Sequence, residues 1–279
     1  MNPSSQFLQS QFSLENKIAV ITGGTGVLAS EMVLGLAQAG AHVVILARRK
    51  ELAEDLARKA EDLGGKKSLA VKADVTDRPS LENAALEIQN TFKKIDILVN
   101  AAGGNLSGAV IQPHQSFFDL SIPDFQKVFD LNLNGSILPT LVFCKAWEKS
   151  KQGVIVNISS MAAFRAITRV MGYSLAKGAI DNFTRWMSVE MATKYGDGIR
   201  VNAIAPGFFI TEQNRRLLTN EDGSLTDRGQ KVITQTPMHR FGEAKELIGT
   251  LIWLCSDASR FVTGTVVPVD GGFSAFSGV

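Results

Sequence analysis

The sequence predicts an α/β fold, a single doubly wound parallel sheet of about seven strands with helices on both faces. Three observations carry that expectation. Short runs rich in Val and Ile alternate with helical patterns along the whole chain. The runs are apolar on both faces, as strands covered by helices on either side must be. No repeat and no low-complexity linker interrupts the alternation, so the 279 residues read as one domain of ordinary size.

The elements follow in order. Residues 1–16 are rich in Ser, Gln and Asn and have no basic segment leading into an apolar one. They read as a flexible tail rather than a signal peptide. The domain then occupies 17–279, with strands predicted at 17–22, 42–47, 68–73, 95–100, 153–159, 200–205 and 265–269. Helices are predicted at 30–39, 50–63, 79–92, 123–149, 173–195 and 244–256. Two segments, 104–121 and 208–235, fit neither pattern. Both leave the carboxyl ends of strands, where open α/β sheets bind ligands. Long loops in that position are more often functional than decorative.

Composition narrows the function classes. A net charge of +2 is too small to argue for nucleic acid or an anionic membrane. The apolar runs fall short of the roughly 20 residues that a spanning helix needs. Cys144 and Cys255 lie far apart in apolar surroundings and read as buried thiols of a reducing, cytoplasmic compartment. His42, His114 and His239 show no metal-ligand spacing, so no metal is expected.

A nucleotide site is expected at the first strand–helix turn. Strand 17–22 runs into Thr22-Gly-Gly-Thr-Gly-Val-Leu-Ala29. Gly23, Thr25 and Gly26 would let the backbone approach a pyrophosphate, while Val27 and Leu28 open a helix whose free N–H groups favour an anion. An NAD site usually has a carboxylate about 20 residues further on, for the ribose hydroxyl. Here that place is Ala47, followed by Arg48, Arg49 and Lys50. Cations at a helix start oppose its dipole unless an anion joins them. NADP(H) is therefore favoured, and NAD(H) stays open. Asp74 and Val75 after the third strand, and Asn100-Ala101-Ala-Gly103 after the fourth, would border the adenine side.

Tyr173 and Lys177 are four residues apart, about one helical turn, with Ser160 thirteen residues upstream. The chain has sixteen Phe and two Tyr, so a hydroxyl at position 173 is wanted for itself. A phenol beside a fixed cation makes a proton donor and acceptor that works near neutral pH.

Taken in order, the glycine turn, Asp74, Asn100-Ala-Ala-Gly103, Asn132, Ser160, Tyr173-x-x-x-Lys177, Pro206-Gly207 and Val269-Asp-Gly-Gly272 resemble the short-chain dehydrogenase/reductase family. The resemblance covers nearly the whole chain from about Lys17, and implies a Rossmann-type fold. One departure is visible: Val27 and Ala29 stand where the family pattern has its last two glycines, with Gly26 one place earlier. The resemblance implies that Tyr173 is the general acid/base, that Lys177 lowers the phenol pKa and bonds the nicotinamide ribose, and that Ser160 holds the substrate oxygen. It implies that Asn132 keeps a helix irregularity and a proton-relay water, and that Pro206, Gly207, Ile210 and Thr211 seat the carboxamide. It also implies a homotetramer, or a homodimer, built on the wide apolar helices around 123–149 and 173–195 and on the C-terminal region.

A narrower resemblance, to the family's D-mannonate oxidoreductases (fructuronate reductases), rests on Gly103-Gly-Asn105, Phe117-Phe-Asp-Leu120, Phe164-Arg-Ala-Ile-Thr-Arg169, the stretch 206–215 and the ending 271–279. It implies a sugar-acid substrate. Arginine suits a carboxylate, so Arg165 or Arg169 would hold it, with Asn105 and Ser160 nearby and Asn214 and Arg215 as loop contacts. Reduction of another carbonyl, on a polyol, a steroid or an acyl-carrier ketone, and a non-catalytic nucleotide sensor stand as alternatives.

Overall fold

The computed structural model describes residues 3–211 and 214–278. Glu212 and Gln213, within the second long loop, lie outside them. Seven parallel strands form one sheet: β1 (Ile18–Thr22), β2 (His42–Ala47), β3 (Leu69–Lys72), β4 (Ile97–Asn100), β5 (Gly153–Ile158), β6 (Ile199–Pro206) and β7 (Val266–Val269). Their spatial order is β3-β2-β1-β4-β5-β6-β7. The order reverses between β1 and β4, which opens a crevice at the carboxyl edge of the sheet.

The helices are α1 (Pro3–Phe12), α2 (Val27–Gln38), α3 (Lys50–Gly64), α4 (Arg78–Phe92), α5 (Ile122–Phe129), α6 (Gly135–Phe143), α7 (Trp147–Ser150), α8 (Met171–Tyr195), α9 (Arg215–Leu218), α10 (Asp227–Gln235) and α11 (Ile248–Cys255). Each sheet face has its own core. Met32 and Leu36 of α2 and Leu251 of α11 pack on Ile21 and Ile45 on one side. On the other, Leu81 and Ile88 of α4, Phe143 and Trp147 pack on Leu98 and Ile155. Alternate residues of one strand thus serve opposite cores, which is why the strands read as apolar on both faces.

Three expectations need correction. The N-terminal segment carries α1, and Leu14 behind it is fully buried in the first core, so residues 3–16 are tied to the domain rather than a structureless tail. The predicted helix 123–149 is broken. A π turn, Asp130–Asn134, separates α5 from α6, because the Asn132 amide bonds both Val128 O and Gly104 O at 2.7 Å. The loop 208–235 contains α9 and α10, the latter capped by the Thr226 hydroxyl, which accepts from Gly229 N at 3.0 Å.

Candidate active site

One open cleft of about 1830 Å³ follows the carboxyl edge of the sheet. That is room for a dinucleotide and a sugar-sized molecule together. Its floor begins at the glycine turn. Gly23 has φ +63°, and a Cβ there would sit 2.7 Å from Ala102 Cα. Thr22 Oγ1 accepts from Ala101 N and Ala102 N, both at 3.1 Å, so the β1 turn and the β4 loop are laced together. Gly26 caps α2 in extended conformation and donates its N–H to Gly23 O at 2.9 Å. Gly26 thus shapes the turn, and Ala29, at a position where the family pattern has glycine, packs in the core. Thr25, Gly26, Val27 and Leu28 line the cleft at the N-terminus of α2, a position whose free N–H groups suit an anion.

Gly23→Ala should lower dinucleotide affinity at least about tenfold, since a left-handed alanine costs about 1–2 kcal/mol even before it meets Ala102. Titration of the variant with the dinucleotide, alongside circular dichroism to verify folding, checks this.

Arg48 and Arg49 form the rim beyond β2, and Lys50 turns to Glu54 at 3.8 Å. Asp74 and Val75 line the same end. Hydrogen bonds from Thr76 hold the Asp74 carboxyl below its ordinary pKa, and the Arg48 charge assists, against some desolvation. Ala101 and Gly103 also line the cleft. Asn100 does not. Its amide is interior, donating to Thr140 Oγ1 at 3.1 Å and Asn157 Oδ1 at 2.9 Å.

The chemical groups lie at the centre of the cleft. Ser160 lies two residues beyond β5 in extended conformation, and its hydroxyl accepts from Ala162 N at 3.1 Å. Tyr173 and Lys177 occupy successive turns of α8, with Lys177 Nζ 5.5 Å from the phenol ring centroid. Burial raises the Tyr173 pKa, and a hydrogen bond with Ser160 partly offsets it. Lys177 is 4% exposed and donates to Ile158 O at 2.7 Å. Burial lowers its pKa to about 8, against the pull of Asp181. The expected lowering of the phenol by Lys177 is therefore not what the protein groups alone produce: desolvation dominates both residues. Asn132 does not line the cleft. Fully buried, it accepts from Gly104 N at 3.2 Å and fastens the loop after β4 to the π turn.

A ladder of buried polar groups links these elements. Ser136 donates to Asn132 O, Thr140 to Ser136 O, Asn100 to Thr140 and Asn157, and Asn157 to Thr184 on α8. Beside it, Ser159 is hydrogen-bonded to the buried Asp181 carboxyl.

Of the substrate residues expected from sequence, Asn105, Ser160, Arg169 and Asn214 reach the cleft. The Asn214 amide is taken up in its own turn, accepting from Thr211 N at 2.7 Å and donating to Phe209 O at 2.8 Å. Arg165 points elsewhere and donates to Ser274 O at 2.9 and 2.6 Å, so C-terminal carbonyls absorb the donors meant for a carboxylate. Arg215 is exposed off the cleft, and its neighbour Arg216 lines the wall instead. Arg228 of α10 also lines it and has no counterpart in the sequence reading. Its signal was Thr226 followed by Asp227, a helix start that would have phased the loop. Pro206, Gly207 and Thr211 line the cleft, and Ile210 does not. Among the described residues, no cluster of His, Cys, Asp or Glu is placed to hold a metal, and no helix is long and apolar enough to cross a membrane.

This fold recurs in known proteins. A family model described as enoyl-(acyl carrier protein) reductase matches residues 26–274. An uncharacterized oxidoreductase of Bacillus subtilis (strain 168) is 47% identical over 276 residues, covering 96% of this chain and 98% of that protein. A Haemophilus influenza structure with bound NAD, provisionally described as a D-mannonate oxidoreductase, superposes with a TM-score of 0.90 at 42% identity, over 98% of this chain and 100% of the other. A gluconate 5-dehydrogenase from Burkholderia cenocepacia J2315, in complex with NADP and tartrate, superposes with a TM-score of 0.85 at 31% identity, over 96% and 99%. With its seven-stranded parallel sheet and this set of relatives, the chain belongs to the short-chain dehydrogenase/reductase family of oxidoreductases.

Proposed function

We propose that the protein interconverts a ketone and a secondary alcohol on a sugar acid, with D-fructuronate and D-mannonate as the pair. One observation carries the reading: the Ser160–Tyr173–Lys177 group opens into a cleft lined by Arg169, Arg216 and Arg228. Two of the similar structures described above are sugar-acid enzymes by description, which supports the substrate class. Of the aromatic residues that would favour a greasy substrate, Phe208 and Phe209 border the cleft but each packs on another partner. Phe208 stacks edge-on against Phe273 at 5.1 Å, and Phe209 is buried in the core. Phe117 and Phe118 pack on each other and do not line the cleft.

The residues present fit a nicotinamide dinucleotide. The space at Gly23 that a Cβ would fill, the α2 N-terminus, and the Arg48–Arg49 rim would hold its phosphates. Two arginines directly after β2, where NAD sites carry a carboxylate, favour NADP(H), while a similar protein holds NAD. The bound nicotinamide supplies or accepts the hydride. Tyr173 gives a proton to the substrate oxygen during reduction and takes it back during oxidation. Ser160 donates a hydrogen bond to the same oxygen. Lys177, hydrogen-bonded to Ile158, is held toward the cleft and presents positive charge beside the phenol. Asn132 acts by positioning, keeping the π turn and the loop after β4 in register. Trp186 and Val189 of α8, 61% and 65% exposed, offer the apolar surface on which a homotetramer or homodimer would form.

A nicotinamide absorbance assay over hexuronates, neutral polyols, steroid ketones and acyl thioesters, with both cofactors, tests the reading. Fructuronate reduction should give the highest kcat/KM. Turnover of neutral or apolar carbonyls alone would overturn it.

A further inference from the structure

We propose that Arg228 and Arg169 form a two-arginine clamp for the substrate carboxylate, so that α10 helps to set specificity for acids over neutral sugars. The proposal rests on the sugar-acid reading above and names its anion site.

The two guanidinium groups come from different parts of the chain and converge on one wall. Arg169 lies in the connection between Ser160 and Tyr173, and Arg228 lies in the first turn of α10. Arg169 has φ +79°, an uncommon conformation for a residue with a side chain. It is over-determined by the loop after β4: Ile111 N donates to Arg169 O at 3.0 Å, and Arg169 Nε donates back to Ile111 O at 3.1 Å. A further bond goes to the Gln112 side-chain oxygen. Arg228 donates to Thr168 Oγ1 at 3.1 Å and Thr168 O at 3.4 Å, one residue before Arg169.

Every one of these partners is neutral. The side-chain bonds use two of the five N–H donors of each guanidinium and leave the others available. Both residues are half-buried, so their charges are poorly screened. Burial holds the Arg228 pKa below its ordinary value, and the Arg169 charge adds to the effect. Two like charges held together in a partly dry wall, by bonds that neutralise neither, destabilise the empty site and favour an anion there. A carboxylate has two oxygens and about four lone-pair directions, enough to accept from both forks at once.

The position suits the chemistry. Thr168 and Arg169 are within about one turn's length of chain from Tyr173, so an anion held there places the rest of a six-carbon acid along the wall leading to the phenol. A neutral polyol of the same shape would leave the two charges unpaired, and that is the source of discrimination.

The test uses cofactor-saturated enzyme with fructuronate and with its neutral ketose counterpart, fructose. Arg228→Met should raise KM for fructuronate about tenfold or more, with a much smaller change in kcat, and should narrow the preference for the acid. Arg228→Lys should recover part of the loss, because charge returns without the planar fork. Binding of D-gluconate to the cofactor-saturated protein, followed by calorimetry, should weaken in parallel. A structural role for Arg228 would instead lower kcat and thermal stability for acid and neutral substrate alike. Unchanged KM and unchanged gluconate affinity in Arg228→Met would overturn the clamp while leaving the sugar-acid reading intact. Failure of the wild type to turn over any carboxylated substrate would remove both.

Discussion

Tyr173→Phe should abolish turnover, by more than about a hundredfold, while dinucleotide affinity stays close to that of the wild type. The ring fills the same space beside Lys177, so the packing seen at 5.5 Å survives and only the proton is lost. Steady-state rates with fructuronate, beside a titration of the cofactor, measure both halves. Retention of more than about a hundredth of the activity would remove Tyr173 as the acid/base. The pH profile gives a second check. Burial holds the phenol above its ordinary pKa, so it is protonated at neutral pH and ready to donate. Reduction should therefore hold at neutral pH and decline on the alkaline side, as Lys177 loses its charge near about 8. Oxidation, which needs the phenolate, should instead rise from neutral pH.

Arg48→Glu should reverse the cofactor preference. The ratio of kcat/KM with NADP to that with NAD should fall at least about a hundredfold, because a charge-assisted bond to the 2′-phosphate is lost and a repulsion replaces it. The new carboxylate would face the ribose hydroxyl, as NAD sites do. Asp74, whose carboxyl Arg48 helps to hold down, should move up toward its ordinary pKa. A ratio unchanged by the substitution would place the phosphate elsewhere, and a wild type that already prefers NAD would show that the rim serves another anion.

The strands were legible in the sequence because both faces of each are buried, and little else in a soluble chain produces such short Val- and Ile-rich runs. The order of Ser160, Tyr173 and Lys177 was legible because one helix turn fixes the last two. What escaped depends on contacts across the chain. The break at Asn132, which the family resemblance implied but no periodicity showed, requires Gly104, twenty-eight residues away, to accept its amide. Arg165 and Arg169 are four residues apart in one connection, and nothing local distinguishes them. The carbonyl of Ser274 draws one outward, and Ile111 holds the other in the cleft. Arg228 was missed because the segment was read as a loop; taking Thr226 as a helix start would have supplied the phase that decides which of its charges turns inward.

The buried polar ladder also governs how the molecule can fail. It runs from the π turn through β4 and β5 to α8, and no member of it touches the cleft. Its bonds connect the helix that carries the proton donor to the strand that presents the hydroxyl. Their spacing is thus set in the interior, by amides and hydroxyls, and not at the open edge of the cleft. Damage to a residue such as Asn157, sealed from solvent at the middle of the sheet, would reach the outside as a catalytic defect.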